Sequence, residues 1–184
     1  MLEGTSERKI RILVAKPGLD GHDRGALVLC KFFQEAGMEV IYTGVHQTPE
    51  MIVEAAVAED VNVIVLSQMD GLHMTLFPEL VRLLREKGGD DICVMGGGII
   101  AEEDRLLLEK IGITGNFGPG TPVQTILDHV WERIGKKYKE NEKREQKKEK
   151  TVCTEKENPG GFRTGSNRPV KEVYGPDDPD GSDS

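Results

Sequence analysis

Aliphatic runs alternate with segments of helical periodicity along the first 135 residues of the chain. The runs predict five β-strands, at 10–15, 38–43, 61–66, 91–95 and 113–117. The segments between and after them predict five helices, at about 23–36, 48–59, 72–87, 101–110 and 122–134. Such an alternation is typical of a parallel sheet that is covered by helices on both faces.

Proline marks the start of two helices and complicates a third. Thr48–Pro49 and Thr121–Pro122 each place an N-cap residue before a proline at the first helical position. Pro78 lies early in the third helix and predicts either a kink or a late start near Phe77.

Five strands that are joined by right-handed crossovers leave few topologies. At this size we expect the doubly wound, flavodoxin-like α/β fold with strand order 2-1-3-4-5. In that order the chain changes direction between strands 1 and 3, and ligands bind above the carboxyl ends of the strands at this switch point. The loops after strands 1 and 3 should therefore carry the functional site.

Charge separates this region from the rest of the chain. Residues 1–135 carry a net charge of −9, residues 136–150 carry +4 and residues 151–184 carry −3. We predict one domain over 8–135, followed over 136–184 by a charged helix extension and a disordered tail. The acidic domain argues against a nucleic-acid partner, which would require a basic face.

Cysteine usage and hydropathy indicate a reducing compartment. Cys30, Cys93 and Cys153 are odd in number and form no CxxC pair, which argues against disulfides and structural zinc. No apolar run approaches the roughly 18 residues of a membrane span, and the N-terminus lacks the apolar core of a signal peptide. We expect a cytoplasmic protein without a membrane partner.

The loop after strand 1 carries the densest group of ionisable residues. Lys16, Asp20 and His22 stand four and two residues apart, among glycines that permit tight turns and the close approach of a ligand. A metal-binding histidine commonly donates its second ring N–H to a carboxylate, and Asp20 suits that role, with Lys16 behind it. The alternative is that Asp20 and His22 are only a turn residue and a helix cap.

The loops after strands 3, 4 and 5 are expected at the same edge. Ser67 either bonds a ring nitrogen of a ligand or simply ends strand 3, and Gly96–Gly98 removes side chains where a bulky group would pass. The loop Phe117–Thr121 precedes a helix N-terminus, which favours an anion, or is a plain connection. These loops outline a glycine-lined groove for a long ligand with a polar head and a narrow tail.

These loops resemble a known signature. Cobalamin-binding domains carry the signature DxHxxG…SxL…GG. This chain resembles it in three segments: Asp20–Gly25, which reads Asp-Gly-His-Asp-Arg-Gly, then Ser67-x-Met69, and then Gly96–Gly98. The match covers about residues 8–135 and is more specifically similar to the adenosylcobalamin-dependent acyl-CoA mutases, the methylmalonyl-CoA mutase family. The segments that carry this closer likeness are 14–25, 42–49 and 117–121.

The resemblance implies adenosylcobalamin as the cofactor. His22 would displace its dimethylbenzimidazole and ligate the cobalt from the lower face, with Asp20 and Lys16 as a relay behind it. The freed nucleotide tail would thread between strands 1 and 3. The implied cofactor-binding residues are Gly21, His22, Asp23, Arg24, Gly25, Leu29, Ser67, Met69, Gly71, Gly97, Gly98, Phe117, Gly120 and Thr121.

Three further histidines and one departure complete this comparison. His46 and His73 are candidate contacts to the corrin or a partner, whereas His129 is predicted to be a surface or capping residue of the last helix. Met69 replaces the leucine of the signature, and Asp70 makes the segment more polar than usual, which predicts a modified pocket.

The chemistry of the family requires a second chain. In these mutases the cobalt–carbon bond breaks homolytically and starts a radical rearrangement of an acyl-CoA that a (β/α)8 barrel holds. Such a barrel takes about 250 residues and does not fit beside the domain. The resemblance therefore implies that this chain is the small, cofactor-binding subunit of an isomerase and is inactive alone. Its implied partners are a large barrel subunit and, as a second option, a G-protein chaperone.

Two other functions stay open at this point. A corrinoid methyl carrier would use the same histidine loop, although such carriers usually place a helical cap domain before the binding domain. A flavodoxin-like interaction module would bind no corrin. Which acyl-CoA is rearranged depends on the barrel, so no residue of this chain identifies it.

Overall fold

The computed structural model describes residues 9–136, which contain five strands and five helices. The strands are β1 (Arg11–Ala15), β2 (Glu39–Tyr42), β3 (Val63–Gln68), β4 (Cys93–Gly98) and β5 (Ile113–Phe117). The helices are α1 (Arg24–Glu35), α2 (Pro49–Ala58), α3 (His73–Glu86), α4 (Glu102–Lys110) and α5 (123–136). All strands are parallel, in the order β2-β1-β3-β4-β5, which confirms the predicted flavodoxin-like topology.

Side chains alternate between the two faces of the sheet, and separate helices cover each face. Ile12 and Val14 of β1 pack in the core beneath α1 and α5. Leu13 and Ala15 pack in the core beneath α2, α3 and α4. The central strand β3 has buried aliphatic residues on both faces, which explains its continuous aliphatic sequence.

Helix α2 begins as its sequence predicts. The hydroxyl of Thr48 accepts a hydrogen bond from the backbone N–H of Met51 at 3.3 Å, and Pro49 is the first helical residue. This cap satisfies one of the donors that every helix start leaves without an intrahelical partner.

Helix α3 lies within the predicted range of 72–87, so the alternative of a late start near Phe77 is wrong. The helix begins at His73 and carries Pro78 inside it. The backbone N–H groups of Thr75 and Leu76 already donate to the carbonyl oxygen of Leu72, which completes a helical turn before the proline. The missing N–H of Pro78 therefore removes one bond from a helix that has already formed.

Strands β3 and β4 end later than predicted. Ser67 and Gly96–Gly98, which were expected in loops, lie in the sheet, where Ser67 pairs with Gly97 and Gln68 pairs with Gly98. Polar residues and glycine carry little strand signal of their own. The pairing of the two backbones extends both strands beyond their apolar segments.

The strand order brings two loops together at the carboxyl edge of the sheet. Because β1 lies between β2 and β3, the loop after β1 leads through α1 to β2 on one side, and the loop after β3 leads through α3 to β4 on the other side.

Within residues 9–136, no helix is long and apolar enough to cross a membrane. The predicted extension and tail lie outside the described residues from position 137 onward.

Candidate functional site

A buried pair of charges lies at the end of β1. The side chains of Lys16 and Asp20 are both fully buried. Lys16 Nζ donates to Asp20 Oδ2 at 2.7 Å and to the carbonyl oxygen of Ser67 at 3.2 Å. A single charge at this depth would be strongly unfavourable, so each member of the pair makes burial of the other possible.

The carboxylate of Asp20 accepts four hydrogen bonds. Oδ2 accepts from Lys16 Nζ at 2.7 Å and from the backbone N–H of Met69 at 2.8 Å. Oδ1 accepts from the backbone N–H and from Nδ1 of His22, at 2.9 and 2.8 Å. Burial acts to raise the pKa of Asp20, but the bonds from Lys16, His22 and Met69 outweigh it and hold this pKa well below its usual range. Asp20 is therefore ionised at neutral pH.

His22 is fixed through one ring nitrogen and open at the other. Since the ionised Asp20 can only accept, Nδ1 of His22 donates and the lone pair of the neutral ring lies on Nε2. None of the hydrogen bonds found among residues 9–136 uses Nε2, and 79% of the side chain is exposed. This arrangement presents an oriented imidazole nitrogen for a metal or a proton.

The end of β3 closes against the loop after β1. Gln68 is fully buried; its Nε2 donates to the carbonyl oxygen of Pro17 at 3.1 Å, and its Oε1 accepts from the N–H of Met69 at 2.9 Å. The sequence alone predicted a role neither for the Gln68 side chain nor for the Met69 backbone N–H. The only signal was the unusual polarity of the segment at 68–70.

A cleft of about 290 Å³ adjoins this group, above β3 and β4 on the side of α1 and α5. Nine predicted residues line it: Gly25, Leu29, Ser67, Met69, Gly97, Gly98, Phe117, Gly120 and Thr121. Three more lining residues, Gly96, Gly118 and Pro119, belong to loops that were predicted to border the groove. The lining residues without any prediction are Val28, Val65, Leu66, Met95, Val123 and Ile126. The period-two alternation that directs Val65 and Met95 toward α1 and α5 was the available signal.

The cleft does not follow the path that was predicted between strands 1 and 3. Its floor comes from β3 and β4, and no residue of β1 lines it. Beyond the end of β1, the side chains of Lys16 and Asp20 are fully buried, and Lys16 contacts β3 through the carbonyl oxygen of Ser67.

Five predicted binding residues lie outside the cleft. Gly21, His22 and Asp23 lie in the loop before α1, and Arg24 is the first residue of that helix. Gly71 lies in the turn before α3, where its φ of 84° favours glycine. Asp23 is the N-cap residue of α1, but its side chain makes no capping hydrogen bond.

The glycines of β4 have different explanations. A Cβ on Gly98, whose φ is 125°, would lie 1.8 Å from the carbonyl oxygen of Gln68. A Cβ on Gly96 would lie 2.2 Å from Oδ1 of Asn116. Packing alone therefore requires glycine at 96 and 98. At Gly97 the nearest atom is 3.4 Å away, so this residue is the one whose missing side chain mainly leaves room in the cleft.

The segment after β5 bends beside the cleft. The register between β4 and β5 shifts between Met95 and Gly97, and Asn116 takes a φ of 41° at this irregularity. The hydroxyl of Thr121, the predicted cap of α5, donates to the carbonyl oxygen of Gly118 at 2.8 Å. Thr121 therefore closes the turn that leads into α5.

The remaining histidines divide by burial. His46 is exposed at the edge that carries His22, and a Cβ on Gly21 would lie 3.9 Å from its Nε2. His73 is buried and its Nε2 lies 2.9 Å from Asp104 Oδ2, so the prediction that it contacts a ligand or partner is wrong. Packing of α3 against α4 covers its ring.

His129 was predicted to be a surface or capping residue, and the structure places it only partly at the surface. Its ring is half-buried, with Nε2 3.1 Å from Thr114 Oγ1 and the edge of Phe117 at a centroid distance of 5.4 Å. Burial, followed by the charge of Arg133, lowers the pKa of His129. The cause is the packing of α5 over β5, which no local pattern in α5 reveals.

Comparison with known proteins gives one family match and several relatives. The family model described as "B12 binding domain" matches residues 10–127. The small subunit of 2-hydroxyisobutanoyl-CoA mutase from Aquincola tertiaricarbonis is 44% identical over 121 residues, which are 66% of this chain and 89% of that subunit. Methylmalonyl-CoA mutase from Escherichia coli K12 is 44% identical over 123 residues, which are 67% of this chain but only 17% of that enzyme.

Solved structures agree on the fold. A cobalamin-binding protein from Desulfitobacterium hafniense DCB-2 superposes with a TM-score of 0.59 at 22% identity, over 69% of this chain and 60% of that one. The signal receiver domain of a LuxO repressor from Vibrio parahaemolyticus gives 0.58 at 9% identity, over 72% and 95%. At these identities the likeness concerns the backbone architecture alone.

Proposed function

Because the chain belongs to the B12-binding domain family, we propose that it binds cobalamin and that His22 is the protein ligand of the cobalt. One observation carries this proposal. The Lys16–Asp20–His22 chain of hydrogen bonds fixes Nδ1 of an otherwise exposed imidazole and directs Nε2 outward. Metal-bound histidines are commonly oriented by a carboxylate in this way.

The residues present fit cobalamin with its dimethylbenzimidazole displaced. The cleft of about 290 Å³ has the size of a small-ligand pocket, for which about 300 Å³ is the lower end. It adjoins the His22 loop, since Gly25 and Met69 line it and the N–H of Met69 donates to Asp20. We assign the nucleotide tail to this cleft, with Ser67, Gly97 and Phe117 along its walls.

The chain contributes binding and orientation, while adenosylcobalamin, when bound, supplies radical chemistry through its cobalt–carbon bond. Asp20 accepts a hydrogen bond from Nδ1 of His22, which leaves Nε2 as the ring nitrogen whose lone pair is available to the cobalt. Lys16 balances the charge of this carboxylate and ties it to the carbonyl oxygen of Ser67. The apolar and glycine lining of the cleft excludes water from the tail.

We further propose that the protein is the cofactor-binding subunit of an acyl-CoA mutase, a cytoplasmic isomerase assembled from different chains. The support is the 44% identity to a mutase small subunit of which 89% is matched. The acyl-CoA would lie in a large (β/α)8-barrel subunit above the upper face of the corrin, and this chain would be inactive alone. A G-protein chaperone that loads the cofactor is compatible with this assembly.

A cobalamin titration of the full chain tests the proposal. Cobalamin bound to the wild type should show the absorption spectrum of a cobalt-bound imidazole. Isotopic labelling of histidine, followed by electron paramagnetic resonance of the cobalt(II) form, identifies histidine as the source of the bound nitrogen. His22→Ala should lose this signature and bind at least about tenfold more weakly. His46→Ala is the matched control for ligation, because His46 is an exposed histidine at the same edge, and it should keep the imidazole-bound signature.

Each part of the proposal has its own contrary outcome. A wild type that stays colourless after incubation with cobalamin contradicts cofactor binding. An unchanged spectrum in His22→Ala contradicts the assignment of the ligand. Activity toward acyl-CoA substrates should arise only when a large mutase subunit and the adenosyl form are added; transfer of a methyl group from the methyl form would instead indicate a methyl carrier.

A further inference from the structure

Gln68 joins the two loops on which the Lys16–Asp20–His22 chain depends. Its side chain is fully buried at the end of β3. On one side Nε2 donates to the carbonyl oxygen of Pro17, in the loop after β1, at 3.1 Å. On the other side Oε1 accepts from the backbone N–H groups of Met69 and Asp70, at 2.9 and 3.4 Å. A single amide thus satisfies groups from both loops.

The backbone N–H of Met69 links the Gln68 amide to the carboxylate of Asp20. That N–H lies 2.9 Å from Gln68 Oε1 and 2.8 Å from Asp20 Oδ2, so the two acceptors share one donor. A shift of the loop by a fraction of an ångström would lengthen the bond to Asp20. The carboxylate holds Nδ1 of His22 through its other oxygen, so its placement sets the direction of the ring.

Glycines in the neighbouring segments leave the space that Gln68 occupies. Gly18 has a φ of 80°, and a Cβ there would lie 2.8 Å from Leu76 and 3.5 Å from Gln68 Nε2. Gly98 leaves no room for a Cβ beside the carbonyl oxygen of Gln68, which also accepts from the N–H of Ile99 at 3.1 Å. Three loops therefore meet on one residue.

We infer that Gln68 is a positioning residue for the axial ligand: its amide holds the loops after β1 and β3 at the separation at which Met69 donates to Asp20. The inference rests on the proposed function for its relation to cobalt. Its structural part concerns only the protein and can be measured without cobalamin.

The first test measures amide hydrogen exchange in the cofactor-free chain. Gln68→Met keeps the length of the side chain and removes both hydrogen-bonding groups. We expect exchange at the N–H groups of Met69 and His22 to become at least about tenfold faster, the equivalent of one hydrogen bond of about 1.4 kcal/mol. Exchange at Val14 and Val65, in the centre of the sheet, should remain as in the wild type, which separates local release from global destabilisation.

The second test uses cobalamin and a matched control. Gln68→Met should bind cobalamin about tenfold more weakly and with a smaller fraction in the imidazole-bound spectrum, as expected for a residue behind a metal ligand. Gln47→Met is the control, because the Gln47 side chain donates only to the carbonyl oxygen of Val45 at the same edge. It should change neither readout.

The outcomes distinguish this inference from the proposed function. Unchanged exchange at Met69 and an unchanged spectrum in Gln68→Met overturn the inference, even when the wild type binds cobalamin through His22. A wild type without the imidazole-bound spectrum contradicts the proposed function, whatever the exchange data show. If Gln68→Met does not fold, Gln68→Asn, which keeps an amide too short to reach both loops, takes its place. Failure of both variants to fold makes Gln68 a core residue and overturns the inference.

Discussion

Two histidine–aspartate pairs in this protein have almost the same length and opposite burial. Nδ1 of His22 lies 2.8 Å from Asp20, and Nε2 of His73 lies 2.9 Å from Asp104. In the first pair the carboxylate is fully buried while 79% of the histidine side chain is exposed. In the second pair the histidine side chain is 7% exposed and that of the aspartate 29%.

The difference in burial separates an accessible histidine from one that packs in the structure. Asp20 is held by four hydrogen bonds and serves as a fixed support, so the exposed ring of His22 is the part available to a ligand. His73 instead lies with its ring against Phe77 and fastens α3 to Asp104 in the first turn of α4. The burial of each partner, more than the contact itself, decides what the pair can do.

The largest difference between the pairs should be in stability. Asp20→Asn leaves Lys16 as a buried charge without its counterion, so we expect a loss of about 3–5 kcal/mol in the free energy of unfolding. Asp104→Asn keeps a hydrogen-bonding partner for His73 near the surface and should cost about 1 kcal/mol. Urea denaturation followed by circular dichroism measures both. Equal losses would mean that the two aspartates have equivalent roles.

Cobalamin affinity should separate the same two variants in a second way. Asp20→Asn should weaken binding by about 10–100-fold, since the residue that orients a metal ligand typically has this effect. Asp104→Asn should bind as the wild type does. A titration at a temperature where both variants are folded gives the comparison, and a matching loss in Asp104→Asn would contradict it.

Chemical modification should report the exposure of each ring directly. Diethyl pyrocarbonate, followed by mass spectrometry, should modify His22 and the exposed His46 rapidly in the native protein and His73 much more slowly. After unfolding in urea, all three should react alike. Bound cobalamin should protect His22 selectively; protection of His73 alone would reverse the assignment.

His129 offers the mildest test, because its ring is half-buried and its partner, Thr114, is neutral. Burial lowers the pKa of His129 in the folded state, so the unfolded chain takes up a proton more readily. The stability that depends on the neutral ring is present above the ordinary pKa of about 6.5 and decreases as the pH falls below it. His129→Gln should flatten this decrease between pH 7.5 and 5.5 in urea titrations. Identical slopes in the two proteins would show that the ring titrates alike in both states.

The architecture was predictable because it depends on patterns that repeat along the chain. The alternation of aliphatic runs with segments of helical periodicity led to the strand order, and the strand order led to the edge that carries Lys16, Asp20 and His22. The mutual contacts of these three residues were also accessible, since they span only seven positions of one loop.

The remaining features depend on distant pairs that a local pattern does not contain. Gln68 reaches Pro17 across 51 positions, and His73 reaches Asp104 across 31. Each contact is set by the register of two strands or by the packing of two helices. The glycines at 96 and 98 show a related difficulty, because a glycine that packing requires looks the same in sequence as one that leaves space for a ligand.

The four hydrogen bonds of Asp20 have a kinetic consequence. They connect β1, the loop before α1 and the end of β3 in the protein alone, so the loop loses its conformational entropy during folding. A ligand then meets a preorganised site and does not have to order it, which favours affinity. Under the proposed function, cobalamin meets a protein that is already in its final conformation, so we expect the departure of dimethylbenzimidazole from the cobalt to be the slow step of association.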